Sequence, residues 1–271
     1  MQVSCLQYTA EPDVEQTWAR IEPLLMMAAL AGPDLVVLPE CALFLSADQA
    51  LSREHAVTLA HPRVDALRQW AADQATWVVV GSVIFRDGSD IRNRMLVFDR
   101  QGALVQHYDK IHMFDVTLSS GECYRESALF TAGSTPAIVD IEGWRVGLSI
   151  CFDLRFPKLY RHYAKTGCDL ILAPSAFTQT TGEVHWQLLN QARAVENGCF
   201  VVAANQCGVN QQGRATFGHS QITGPWGEIL AQGGGSTTLV SATIDQSAVA
   251  TARTKIPVLS QDRDFDAPTM G

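Results

Sequence analysis

Residues 2–8 alternate apolar and polar side chains, the period of a half-buried strand. Residues 13–31 are rich in Ala, Leu and Met and stop at Gly32-Pro33, which predicts a helix. DLVVLPE, 34–40, is a short apolar run and predicts a buried strand. The same signs give a helix over 61–76 and a buried strand over 76–85. Residues 92–98 and 103–108 alternate about a turn at Asp99–Gly102, which predicts a hairpin. A second hairpin joins AIVDI to WRVGLSI across Glu142-Gly143. Beyond it lie a helix over 155–166 and the run DLILAPS, 169–175. A helix over 184–197 and a buried strand over 199–206 follow. Residues 219–231 form a hairpin across Pro225-Trp226-Gly227, and 237–245 is a last strand. Helices alternate with buried strands while hairpins intrude. That order predicts an α/β fold with two mixed sheets packed face to face and helices outside.

Composition narrows the function classes. The 271 residues suit one large domain or two average ones, with no repeat, low-complexity tract or charged linker. Apolar residues make up 47% and charged residues 18%, which fits a packed protein. A net charge of −8 with no Lys/Arg cluster argues against nucleic acid and anionic membrane as partners. No apolar run is long enough to predict a membrane span. The first residues lack the basic start and apolar core of a signal peptide. Seven cysteines at 5, 41, 123, 151, 168, 199 and 207 form no CxxC pair, so zinc-ribbon and thioredoxin motifs are missing. A reducing cytoplasm is the expected compartment. GxGxxG and GxxxxGK[ST] do not occur, so nucleotide-binding folds lack their signature.

Ligands in layered α/β folds gather at the carboxyl ends of strands. Three such ends carry reactive groups: VVLPE ends on Glu40, VQHYDK on Lys110 and GLSIC on Cys151. Each has a plain alternative. Glu40 also fits a surface-loop carboxylate, Lys110 a solvated strand end, and Cys151 a small core hydrophobe. Together they supply a base, a cation and a nucleophile, the set acyl transfer requires. The helix expected near Arg155–Pro157 suggests a thiol presented and activated where a strand meets a helix, with Cys151 the accessible thiol. The Phe152 N–H would then face an oxygen bound beside Cys151. His112, His185 and His219 leave a Cys–His dyad open. GxSxG is missing.

VVLPE around Glu40, YDKIHMFD around Lys110 and GLSICFDLRFP around Cys151 together resemble the nitrilase superfamily of carbon–nitrogen hydrolases. The likeness runs over nearly the whole chain. It implies one carbon–nitrogen hydrolase domain over 1–271, built as a four-layer α-β-β-α sandwich, and a Glu40–Lys110–Cys151 triad. It implies that Glu126, in YRES, holds Lys110 and helps position the substrate. Residues 175–208, FGHSQITGPWGEIL and IPVLSQDR are similar to the deaminated glutathione amidase branch. Omega-amidases acting on 2-oxoglutaramate share the TTG, HW and GHS elements.

The resemblance implies that Glu40 takes the thiol proton, that Lys110 and the Phe152 N–H hold the oxyanion, and that a thioester is hydrolysed. No metal or organic cofactor is called for. A closed, partly apolar pocket is expected to push the Glu40 pKa upward. A substrate with carboxylates calls for a cation, and Arg155 stands four residues after Cys151; an arginine paired with Asp153 or a Glu is the alternative. His185 and Gln206 are the other candidates for substrate contact. A nitrilase acting on nitriles and a non-enzymatic small-molecule binding module are the competing functions. A homodimer formed by the outer helices is expected from the family.

Overall fold

The computed structural model describes residues 1–118 and 121–268. The first half runs β1 (Gln2–Gln7), α1 (Val14–Ala31), β2 (Leu35–Val37), α2 (Gln49–Glu54), α3 (Pro62–Gln74), β3 (Trp77–Asp87), β4 (Asp90–Phe98), β5 (Leu104–Asp109), β6 (Asp115–Thr117) and β7 (Cys123–Arg125). The second runs β8 (Ala137–Ile141), β9 (Trp144–Leu148), α4 (Pro157–Lys165), β10 (Leu170–Leu172), α5 (Gln179–Asn197), β11 (Phe200–Ala203), β12 (Cys207–Val209), β13 (Ala215–Phe217) and β14 (Gln221–Thr223). β15 (Ile229–Gln232), β16 (Thr238–Thr243), α6 (Ser247–Lys255) and α7 (Val258–Gln261) complete it.

Two six-stranded sheets result, ordered β16-β1-β2-β3-β4-β5 and β15-β14-β11-β10-β9-β8. Each has a parallel centre, β1-β2-β3 or β9-β10-β11, flanked by antiparallel strands. Val3, Cys5, Val37 and Val79 of one sheet share a core with Val146, Leu148, Ile171 and Val201 of the other. Tyr160, Tyr163 and Trp186 of α4 and α5 join the same core, while α1 and α3 cover the first sheet's outer face. These are the four expected α-β-β-α layers. The sequence explains α1 directly. Asp13 accepts from the Gln16 N–H at one end, and Gly32 takes a left-handed φ of 61° at the other. Trp18, Ile21, Leu25 and Ala28 recur at helical spacing on the buried side. Each fully buried Leu or Ile there contributes about 1.5–3 kcal/mol.

Several boundaries differ from expectation. α5 begins at Gln179, not 184, because the Thr178 side chain caps the Thr181 N–H. His185 therefore lies in its second turn. The segment after β9 is a separate 3-10 turn, Cys151–Arg155, and α4 starts only at Pro157. The hairpins β6–β7 and β12–β13 and the helices α2, α6 and α7 were not legible in the pattern. No helix among the described residues is long and apolar enough to cross a membrane.

Candidate active site

The glutamate side of the site depends on a close approach of the two sheets. A Cβ on Gly81 would stand 2.0 Å from the Leu38 carbonyl oxygen and 2.4 Å from the Pro174 Cβ. Only glycine leaves room for those two strand ends to meet. Beyond Pro39 the chain turns at Cys41, φ 52°, whose N–H donates to the Ser82 hydroxyl at 2.9 Å. Glu40, 4% exposed, is left pointing inward. Its Oε1 accepts from Lys110 Nζ at 2.8 Å and from Asn93 Nδ2 at 2.9 Å. Its Oε2 accepts from the Ala176 N–H at 2.8 Å.

Lys110 follows β5, where its N–H donates to the Asn93 carbonyl at 3.0 Å. It is 2% exposed. Its ammonium also reaches Glu126 Oε1 at 2.9 Å and Oε2 at 2.8 Å. Glu126 lies just after β7; Asn93 Nδ2 and the Phe114 N–H also donate to its carboxylate. Cys151 closes the group. It has φ 48°, a conformation that costs a non-glycine residue about 1–2 kcal/mol. Its N–H donates to the Pro174 carbonyl at 2.9 Å, while the Phe152 N–H has no acceptor among the described residues. Asp153 holds the turn from beneath. It accepts from the Tyr108 hydroxyl at 2.7 Å, the Ile150 N–H at 2.9 Å and the His112 N–H at 3.1 Å. His112 Nδ1 is 2.6 Å from the same carboxylate.

One cation faces two carboxylates here, so the cluster carries net negative charge before any thiolate forms. Burial, then the Glu40 charge, push the Cys151 thiol well above its ordinary value, with Lys110 pulling against them. Burial opposes the Lys110 charge, but Glu126 and Glu40 win and hold its pKa above the usual lysine value. Burial likewise pushes Glu40 up, yet the Lys110 charge and hydrogen bonds from Lys110, Cys151 and Asn93 leave it below 4.5. The expected upward shift of Glu40 is therefore reversed. After β9 the chain first makes the 3-10 turn Cys151–Arg155, and α4 begins at Pro157, within the span expected for it; at that turn a thiol pushed up stands beside a carboxylate held down.

Glu40, Lys110, Glu126, Cys151 and Phe152 line one cavity of about 590 Å³, together with Arg155. Arg155 makes no ion pair with a described carboxylate; Asp153, its expected partner, is buried among Tyr108, His112 and Ile150. The guanidinium lies 5.0 Å from the Phe177 ring centre and donates to His185 Nδ1 at 3.3 Å. His185 itself is exposed and does not line the cavity. Gln206 corrects the sequence expectation further. Fully buried, it donates to the carbonyls of Glu40 and Cys41 and accepts from the Ala10 N–H, so it fixes the Glu40 loop. None of His112, His185 and His219 lines the cavity, which removes the Cys–His dyad. Cys151 is 9% exposed, whereas Cys123 is the exposed thiol of the same cavity. Asn93, Tyr124 and Arg214 escaped the sequence reading. Asn93 carried one signal, a polar residue amid a buried alternating strand. Among the described residues no group of three or more His, Cys, Asp or Glu is placed to hold a metal ion.

Comparison with known proteins shows the family of the chain. The family model described as carbon-nitrogen hydrolase matches residues 2–254. A deaminated glutathione amidase of Yersinia enterocolitica is 37% identical over 267 residues, covering 96% of this chain and 92% of that protein. The omega-amidase NIT2 of Xenopus tropicalis is 33% identical over 262 residues, covering 96% and 94%. The crystal structure of Saccharomyces cerevisiae Nit3, a member of branch 10 of the nitrilase superfamily, superposes with a TM-score of 0.83 at 26% identity. The match covers 95% of this chain and 94% of that one.

Proposed function

The chain belongs to the carbon–nitrogen hydrolase family, and on that premise we propose that it is a cysteine amidase working through Glu40, Lys110, Cys151 and Glu126. The observation that carries this reading is the Lys110 ammonium held between two carboxylates in the cavity that Cys151 opens into. As the Cys151 sulfur bonds to the amide carbon, its proton passes to ionised Glu40. The carbonyl oxygen becomes an oxyanion, met by Lys110 and the Phe152 N–H. Collapse breaks the C–N bond, and Glu40 returns its proton to the leaving nitrogen. A thioester remains. Glu40 then takes a proton from water as the hydroxyl oxygen attacks the thioester carbon; the C–S bond breaks and the sulfur regains the proton. Glu126 keeps Lys110 in place throughout.

Arg155 favours a carboxylated substrate, being a cation of the cavity without a protein anion. The substrate proposed is deaminated glutathione, split to 2-oxoglutarate and cysteinylglycine. The alternative is 2-oxoglutaramate, since relatives with both names match the chain. A product assay of ammonia against cysteinylglycine release distinguishes them, with a nitrile included in the panel. In the same assay Arg155→Ala is expected to lower kcat/KM for deaminated glutathione by about one to two decades, and for a short neutral amide much less. Equal losses would make Arg155 a support of the fold around Cys151. Faster wild-type turnover of 2-oxoglutaramate would favour the omega-amidase reading.

The family resemblance also points to a homodimer. Val184, Leu188 and Val195 of α5 are exposed and lie on one side of the helix, which fits a surface for a second copy.

A further inference from the structure

We propose that Arg214 binds a carboxylate carried by the leaving amine, so that the enzyme prefers amides whose amine half is an anionic amino acid or short peptide. The proposal rests on the amidase reading above and names its substrate class more closely.

Arg214 lines the same cavity as Cys151 and Arg155. It stands just before β13, on the hairpin loop between β12 and β13. That loop is fixed from both sides. Asn210 Oδ1 accepts from the Arg214 N–H at 3.0 Å, and Gln212 Oε1 accepts from the Ser46 hydroxyl and the Ala47 N–H at 2.9 Å each. The guanidinium lies 5.4 Å from the Tyr124 ring centre. Its Nε is buried with no hydrogen-bond partner. No described carboxylate forms an ion pair with it, although Glu122 shares the cavity wall. A half-buried guanidinium held in place, stacked and left without an anion is built to receive one.

The two arginines serve different ends of the cavity. Arg155 is four residues from Cys151 along the chain and ends the 3-10 turn that Cys151 begins. Arg214 stands on the loop that packs against the segment following Glu40: Asn210 Nδ2 donates to the Leu45 carbonyl at 3.1 Å, beside the contacts of Gln212 with Ser46 and Ala47. Cys151 keeps the acyl group, while Glu40 hands its proton to the departing nitrogen. An anion on the Glu40 side therefore belongs to the amine. Two cations in one cavity match an amide with a carboxylate on each half. An amide that releases ammonia has no group to place on Arg214.

The test uses three substrates with one acyl group: 2-oxoglutaramate, 2-oxoglutaryl-cysteinylglycine, and the latter with its glycine carboxylate capped as an amide. Arg214→Gln is expected to lower kcat/KM for the peptide substrate about tenfold to a hundredfold and to leave 2-oxoglutaramate within about twofold. Capping should cost the wild type a similar factor, and the two losses should not add, because both remove one contact. The capped substrate on the wild type keeps the test intact should the variant fold poorly. Equal loss on 2-oxoglutaramate, or additive losses, would overturn the assignment. So would wild-type indifference to capping. Wild-type turnover of none of the three overturns the amidase reading itself and this inference with it; turnover with Arg214→Gln unchanged overturns only the role of Arg214.

Discussion

At the ammonium of Lys110, one positive and two negative charges meet, brought together from positions 40, 110 and 126 of the chain. Burial alone would raise the Glu40 pKa; the ammonium at 2.8 Å reverses that. Glu40 must be ionised to take the thiol proton, so kcat/KM falls as pH drops through its pKa. The acid limb of the wild type is therefore expected below the ordinary glutamate value of 4.5. Lys110→Ala removes the attraction and leaves the burial. Its acid limb should move above 4.5, and kcat should fall by about a hundredfold or more, as for loss of an oxyanion donor. A pH profile of both proteins checks both effects. A limb that stays in place would show that Lys110 does not set the Glu40 pKa, and a near-normal kcat that it does not meet the oxyanion.

Among elements, the decisive contact is where the residues after β2 and β10 meet Gly81 within β3. Gly81 admits the Leu38 carbonyl and the Pro174 side chain there, and a register shift between Val80 and Val83 redirects β3 at the same point. Gly81→Ala is expected to cost about 1–3 kcal/mol by overpacking. It should also separate the Glu40 loop from the Ala176 N–H, so kcat should fall more than thermal stability alone explains. Thermal unfolding with kcat measured well below Tm separates the two; an unchanged kcat would place the strain outside the site. The central strands were legible because both faces are buried and their residues form unbroken apolar runs. Glu40 and Cys151 were legible as the residues ending such runs and Lys110 as the end of an alternating one, and the family likeness supplied Glu126. Arg214, Tyr124 and the remaining hairpins were not. β6, β7, β12 and β13 are three residues long and partly exposed, too short for any period to show. Gln206 misled because a polar residue closing a buried strand looks like a ligand group, while the Glu40 and Cys41 carbonyls use its donors.

For the whole molecule, both outer helical layers leave apolar side chains uncovered, Met26, Met27 and Leu30 on α1 and a stripe on α5. α5 exposes Val184, Leu188 and Val195, with Leu188 at 65%, on the side away from the sheets. The loop leading into α5 carries Ala176, whose N–H binds Glu40, and Thr181 of its first turn lines the cavity. A partner packed on α5 would therefore steady one wall of the site. Stable specific interfaces bury roughly 800 Å² or more on each subunit, and a charge at the centre of such a surface is costly. Leu188→Glu is expected to shift the protein from dimer to monomer in analytical ultracentrifugation at micromolar concentration, and to lower kcat several-fold. Leu30→Glu, on the exposed end of α1 in the opposite outer layer, is the control and should change neither. If Leu188→Glu sediments like the wild type, α5 is not the interface. If it yields a fully active monomer, the site is complete within one chain and the coupling through Ala176 does not exist.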